Sequence, residues 1–284
     1  MMEADYGGAC MGVHYWPVES ERAWREANKQ MDALDRVTRE DPRVWRVHEP
    51  ADWDRARDAG KLALALGVEG AHMLAGRVER VARLAERGVA YLTLAHFGKN
   101  AAATPSMGRG ANERCRLTDF GRDLVHACHR AGVVVDIAHL NTPCAEDVCA
   151  AARAPFFCTH TGLKGVCDVA RNISDDVLAG VARLNGAVGI IVGPVFLKGS
   201  LTADTEAFVD HVDYVVAHVG PEHVCFGSDY DGWLPTILSD HRDVRDTLRI
   251  TDALLRRGYA EEAILGFWRG NAMRVFREAW RARG

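Results

Sequence analysis

Short apolar runs and amphipathic stretches take turns along most of this chain, and few folds accept that order. The apolar runs are ACMGVHYW (9–16), LALALGV (62–68), AYLTLAH (90–96), VVVDIAH (133–139), PFFCTH (155–160), AVGIIVG (187–193) and HVCFGSD (223–229). Their valines, isoleucines and aromatics read as strands buried on both faces. Between them, RVERVARLAERG (77–88), FGRDLVHACHRAG (120–132), ISDDVLAGVARLNG (173–186) and DTEAFVDHVDYVVAHVG (204–220) have helical periodicity, and several close on glycine. TDFG and SDDV place Thr118 and Ser174 where helix N-caps belong. Strand, helix and strand in succession require parallel pairing through right-handed crossovers. The fold class expected is therefore α/β, and a (β/α)8 TIM barrel suits a chain of 284 residues. Seven strands are counted where a closed barrel has eight. The expectation is a single barrel domain over residues 1–284, lacking its first strand in the chain as given.

Composition removes several alternatives. The chain is 48% hydrophobic and 26% charged, as ordinary globular domains are. A formal charge of −4 without a basic stripe argues against nucleic acid as a partner. The longest apolar run, AVGIIVG, is far too short to cross a membrane, and the acidic start MMEADYGGAC does not read as a signal peptide. Eight scattered cysteines form no C-x-x-C pair, which suits free thiols in a reducing cytoplasm. No G-x-G-x-x-G follows a strand, so a dinucleotide site is not expected.

The strand ends carry the chemistry. Glu69, His96, His139, His160 and Asp229 each finish an apolar run, and parallel strands bring their carboxyl ends to one face. Any one of them alone reads as a capped or exposed polar residue; five together read as a site. Histidines with carboxylates and no cysteine suit zinc or another divalent first-row ion. Such an ion acidifies bound water and polarises a carbonyl, which points to hydrolysis of an amide or ester. No G-x-S-x-G elbow offers a serine nucleophile instead. Asp136, in the middle of VVVDIAH, needs a buried partner or a supporting role. His126 and His129, three apart on a helix, read as a surface or groove pair rather than as ligands.

GVEGAHML around Glu69, YLTLAHFGKN around His96, GVVVDIAHLN around His139, the long APFFCTHTGLKGVCDVARNISDDVL and FGSDYDG follow one another in an order that resembles the membrane (renal) dipeptidase family. These are zinc peptidases of the metal-dependent hydrolase barrel class. The resemblance implies that Glu69 bridges two zinc ions and that His139 and His160 complete one of the two metal positions. It implies that His96 contacts the substrate at the scissile group, that Arg171 holds the substrate's terminal carboxylate, and that Asp229 is the acid/base beside its free amine. The implied reaction is hydrolysis of a dipeptide by a metal-bound hydroxide. The family's H-x-D pair, which would bind the other zinc, has no counterpart at His14-Tyr15-Trp16, where Trp16 cannot ligate. Other readings are a catalytically impaired relative that binds a peptide or protein, or an amide hydrolase of a biosynthetic pathway. The partners expected are a small dipeptide or amide and, in a homodimer, a second copy of the chain.

Overall fold

The structure, a computed structural model, describes residues 18–232 and 234–283. ACMGVHYW and His14 lie outside them. The chain packs as two compact units, one running to Pro155 and resuming at Val275, the other spanning Phe156–Arg274. No helix of the described residues is long and apolar enough to cross a membrane.

The first unit contains α1 (Glu21–Glu40), β1 (Val44–Arg46), α2 (Ala51–Asp58), β2 (Leu62–Leu64), β3 (Leu66–Glu69), α3 (Arg80–Glu86), β4 (Val89–Thr93), α4 (Asp119–Ala131), β5 (Val134–Asp136) and α5 (Thr142–Ala151). α1 begins at Ser20, whose hydroxyl accepts from Ala23 N, and buries Ala23, Ala27, Met31 and Leu34 along one stripe. β1 pairs in parallel with β2 through the α2 crossover, and β3, β4 and β5 form a parallel run. Strand tally is thereby corrected: LALALGV is two short strands, and β1 was not among the apolar runs. Its three residues are only half-buried and are interrupted by Arg46, so hydropathy does not mark them.

The second unit contains β6 (Phe157–Thr161), α6 (Asp175–Arg183), β7 (Ala187–Ile190), α7 (Pro194–Lys198), α8 (Thr205–Val219), β8 (Val224–Phe226), α9 (Leu248–Arg256) and α10 (Glu261–Leu265); α11 (Asn271–Arg281) closes the chain. β7 lies between β6 and β8, parallel to both. These three strands curl sharply. A Cβ built on Gly189, or on Gly227 just past β8, would fall 2.0 Å from the Thr159 carbonyl oxygen of β6. Backbone can approach that closely because neither glycine carries a side chain. Thr118 and Ser174 cap α4 and α6 as expected, each accepting from the backbone N–H three residues on. The α/β class and parallel order are as the sequence implies.

Candidate functional site

Each expected site residue sits at or beyond the carboxyl end of a strand. Glu69 is the last residue of β3, and His160 lies within β6. His96, His139 and Asp229 are not strand residues: each falls three positions past the end of β4, β5 or β8. The apolar residues that seemed to prolong those strands, such as Leu94 and Ile137, are buried in the turns that follow.

In the first unit, three side chains meet. His139 Nε2 lies 2.9 Å from Glu69 Oε1, and His96 Nε2 lies 3.7 Å from Glu69 Oε2. The two imidazoles stand edge to face with centroids 4.5 Å apart, and Phe97 packs against both at 4.4 and 5.2 Å. Both histidines are 6% exposed, so their rings are held by packing rather than left in solvent. The position of His139 depends on Asp136. Asp136 is fully buried, accepts from Thr93 Oγ1 at 2.5 Å and from the Ala138 backbone N–H at 3.0 Å, and so fixes the turn after β5. That turn lets His139 take the left-handed conformation, φ 68°, uncommon outside glycine and asparagine. The opposite side of the turn is held by Ser106, whose N–H donates to the His139 carbonyl. Asp136 therefore supports the site through the turn that carries His139. On the Glu69 side, Gly70 adopts φ 106°, and a Cβ there would fall 2.5 Å from His72 Nδ1 and 3.3 Å from His96 Cβ.

The segment between β4 and α4 is long but tied down. Asn100 donates to the Leu94 carbonyl and accepts from the N–H groups of Ala102 and Ala103. Asn141 caps α5 through Cys144 N and donates to the carbonyls of Asn112 and Cys115. Sequence reasoning did not single out either asparagine. Asn141 was legible as the residue before T-P at a helix start; Asn100 carried no signal.

In the second unit, Thr159 Oγ1 lies 2.9 Å from His160 Nδ1. Arg171, 4% exposed, donates from Nη2 to the His160 carbonyl at 3.0 Å and holds its guanidinium 5.9 Å from the Phe196 ring. Thr161 Oγ1 donates back to the Arg171 carbonyl, so the strand and the Arg171 loop are clamped together. Asp229 is half-buried at φ 56°, in a turn where Gly232 N donates to its carbonyl. Two H-x-D spacings occur inside this unit, His211-Val212-Asp213 and His241-Arg242-Asp243, and neither is a metal pair. His211 bridges Leu163 N and the Leu197 carbonyl, while Asp213 accepts from Arg257 and Tyr259. His241 contacts Thr205 and Tyr230, while Asp243 pairs with Arg245. Burial pushes the His211 imidazole below its ordinary pKa, as suits a neutral ring with one donating and one accepting nitrogen.

The sequence pattern of "Membrane dipeptidase (Peptidase family M19)" matches residues 1–283. Dipeptidase 3 of Rattus norvegicus is 29% identical over 284 residues, covering 96% of this chain and 57% of that protein. Dipeptidase tcpJ of Claviceps purpurea (strain 20.1) is 32% identical over 257 residues, covering 89% of this chain and 60% of that protein. The chain thus spans less than two thirds of these relatives. Among solved structures, the probable dipeptidase PvdM from Pseudomonas aeruginosa superposes with a TM-score of 0.89 at 22% identity, covering 99% of this chain and 88% of that one. A metallo peptidase from Rhodobacter sphaeroides, liganded with a phosphinate mimic of the dipeptide L-Ala-D-Ala, gives 0.84 at 24% identity, covering 93% and 77%. At those identities the structural likeness establishes the fold.

Proposed function

Because the chain belongs to the membrane dipeptidase family, we propose that it hydrolyses the peptide bond of dipeptides or similar small amides, with a zinc ion held by Glu69, His139 and His160. The observation that carries this reading is the Glu69 carboxylate, which faces the proposed ligand His139 at 2.9 Å and His96, assigned to the substrate, at 3.7 Å. A satisfied buried ion pair would need one histidine; the second, edge-on and packed by Phe97, is better accounted for by chemistry. The donor set fits the metal. One carboxylate oxygen and two imidazole nitrogens, with no thiolate, suit zinc or a neighbouring divalent ion. When Thr159 Oγ1 accepts from His160 Nδ1–H, the Nε2 lone pair is left to ligate, as with partners of metal-bound histidines. When bound, such an ion supplies Lewis acidity and lowers the pKa of water.

The remaining roles belong to the chain's own groups. His96, rigidly packed, orients and polarises the scissile carbonyl of the substrate. Arg171 reads the terminal carboxylate, for which a planar guanidinium fork is suited. Its backbone hydrogen bond to His160 ties substrate orientation to the strand that carries a ligand. Asp229 receives and returns a proton at the leaving amine, its carboxylate fixed on a strained turn.

The test couples metal content to turnover. Purified protein should contain zinc and hydrolyse an alanyl dipeptide in a chelator-sensitive reaction. His139→Ala and Glu69→Gln should lose most of the metal and more than the about 10–100-fold that losing a ligand's supporting partner costs. Arg171→Lys should lower kcat/KM for the dipeptide while leaving the poorer turnover of its amide unchanged. A folded protein whose activity survives full metal removal would overturn the proposal, and metal binding without hydrolysis would favour a binding role.

A further inference from the structure

A cavity of about 490 Å³ opens in the first unit between the last turns of α4, the turn after α5 and the end of α11. It is lined by Asp123, His126, His129, Arg130 and Arg153, with Val78 supplying apolar wall. Two features separate it from an ordinary surface dip. His129 is 9% exposed, yet neither of its ring nitrogens has a hydrogen-bond partner among the described residues. A buried imidazole left that way costs roughly 1–3 kcal/mol for each lost partner. Arg130 and Arg153 reach the same cavity from different segments, and neither forms an ion pair among the described residues.

The usual explanation for basic residues at the end of a helix is the negative pole of the helix dipole. That accounts for Arg130 and, in part, for His126. At the end of α5 it accounts for Arg153 as well; it does not account for the unpartnered nitrogens of His129. A metal ion is disfavoured because both guanidinium groups would repel it. An anion, by contrast, can accept from both guanidinium groups and from one ring nitrogen of His129.

We propose that this cavity binds a phosphate-class anion, either free inorganic phosphate or the phosphoryl group of a small metabolite, between Arg130, Arg153 and His129. Two guanidinium forks and two imidazoles offer more donors than the two oxygens of a carboxylate can accept, and a tetrahedral oxyanion can use them. Asp123 and the end of α4 oppose the anion and keep its affinity modest. Burial, with His126 and Arg153 adding positive charge, pushes the empty His129 imidazole down to about 4. A bound dianion reverses that balance and favours the imidazolium, which donates from both nitrogens and carries a positive charge.

The experiment follows the His129 imidazole resonances of the full chain by NMR at constant ionic strength. The probes are inorganic phosphate, glycerol 3-phosphate and acetate; His129→Gln serves only to assign the signal. Phosphate should give a saturable shift. Arg153→Gln, at an exposed position where folding is not at stake, should weaken binding at least about tenfold, as loss of a charge-assisted hydrogen bond does. Arg153→Lys should fall between the two. Tighter binding of glycerol 3-phosphate would identify a metabolite's phosphoryl group, and tighter binding of inorganic phosphate the free ion. A shift that does not saturate, an Arg153→Gln titration that matches the parent, or acetate binding as well as phosphate would each overturn the proposal.

Discussion

Asp136 shows how a single residue can shape a site through the backbone turn beside it. Its two carboxylate oxygens each take one donor, Thr93 Oγ1–H and the Ala138 N–H, in a place with no solvent access. Asp136→Asn keeps the shape but replaces one acceptor with a donor, leaving two N–H or O–H groups facing one another. Chemical denaturation should show a loss of about 1–3 kcal/mol, the usual consequence of an unsatisfied buried polar group. Thr93→Val, which removes only one donor, should cost less. An Asp136→Asn protein as stable as the parent would mean that the turn at His139 is held by other contacts. The sequence made Asp136 visible as an anomaly within an apolar strand. Its partner was not visible, because Thr93 stands 43 residues away and parallel register brings them together only in the folded sheet.

At the level of strands and helices, hydropathy located the centres of elements better than their ends. AYLTLAH and VVVDIAH overran β4 and β5 because Leu94, Ala95, Ile137 and Ala138 remain buried after strand pairing stops. Burial is what an apolar pattern reports; hydrogen-bond register is not. The converse failure is β1, which pairs properly yet is only half-buried. α1 carries little apolar signal in the sequence because two of its four buried anchors are alanines, which make a weak stripe. The curl of β6, β7 and β8 yields a prediction at this scale. Gly189→Ala or Gly227→Ala puts a methyl group against the Thr159 carbonyl, a backbone atom that cannot swing aside. Each should destabilise by about 1–3 kcal/mol or more, as overpacking does. Gly258→Ala, at φ 85° but with open space around it, supplies the comparison for backbone strain alone. Equal losses at all three positions in thermal unfolding would show that the close approach is not what matters.

For the whole molecule, buried histidines set the response to acid. Burial holds the imidazoles of His129, His211 and His241 below their ordinary value of 6.5, with His129 down to about 4. Between those values the unfolded chain binds more protons than the folded one, so stability rises with pH and falls as pH drops from about 6.5 towards 4. His129 alone contributes up to about 3 kcal/mol to that fall. Glu206, held low by the hydrogen bond from Arg257, adds a loss in the same direction at more acidic pH. The unfolding midpoint should therefore decline steadily across this window, and phosphate should flatten the decline if it occupies the His129 cavity. A midpoint independent of pH in that range would contradict the burial of these rings as neutral groups. The tethered segment between β4 and α4 has a different kind of consequence. Residues 107–114 are exposed, whereas the flanks are anchored: Ser106 to His139 on one side, Asn112, Cys115 and Arg116 to Asn141 and Asp147 on the other. Arg109 is itself held by backbone hydrogen bonds to Phe97 and Lys99, so a trypsin nick after it severs the covalent chain without releasing either flank, and the two fragments should stay together under native conditions.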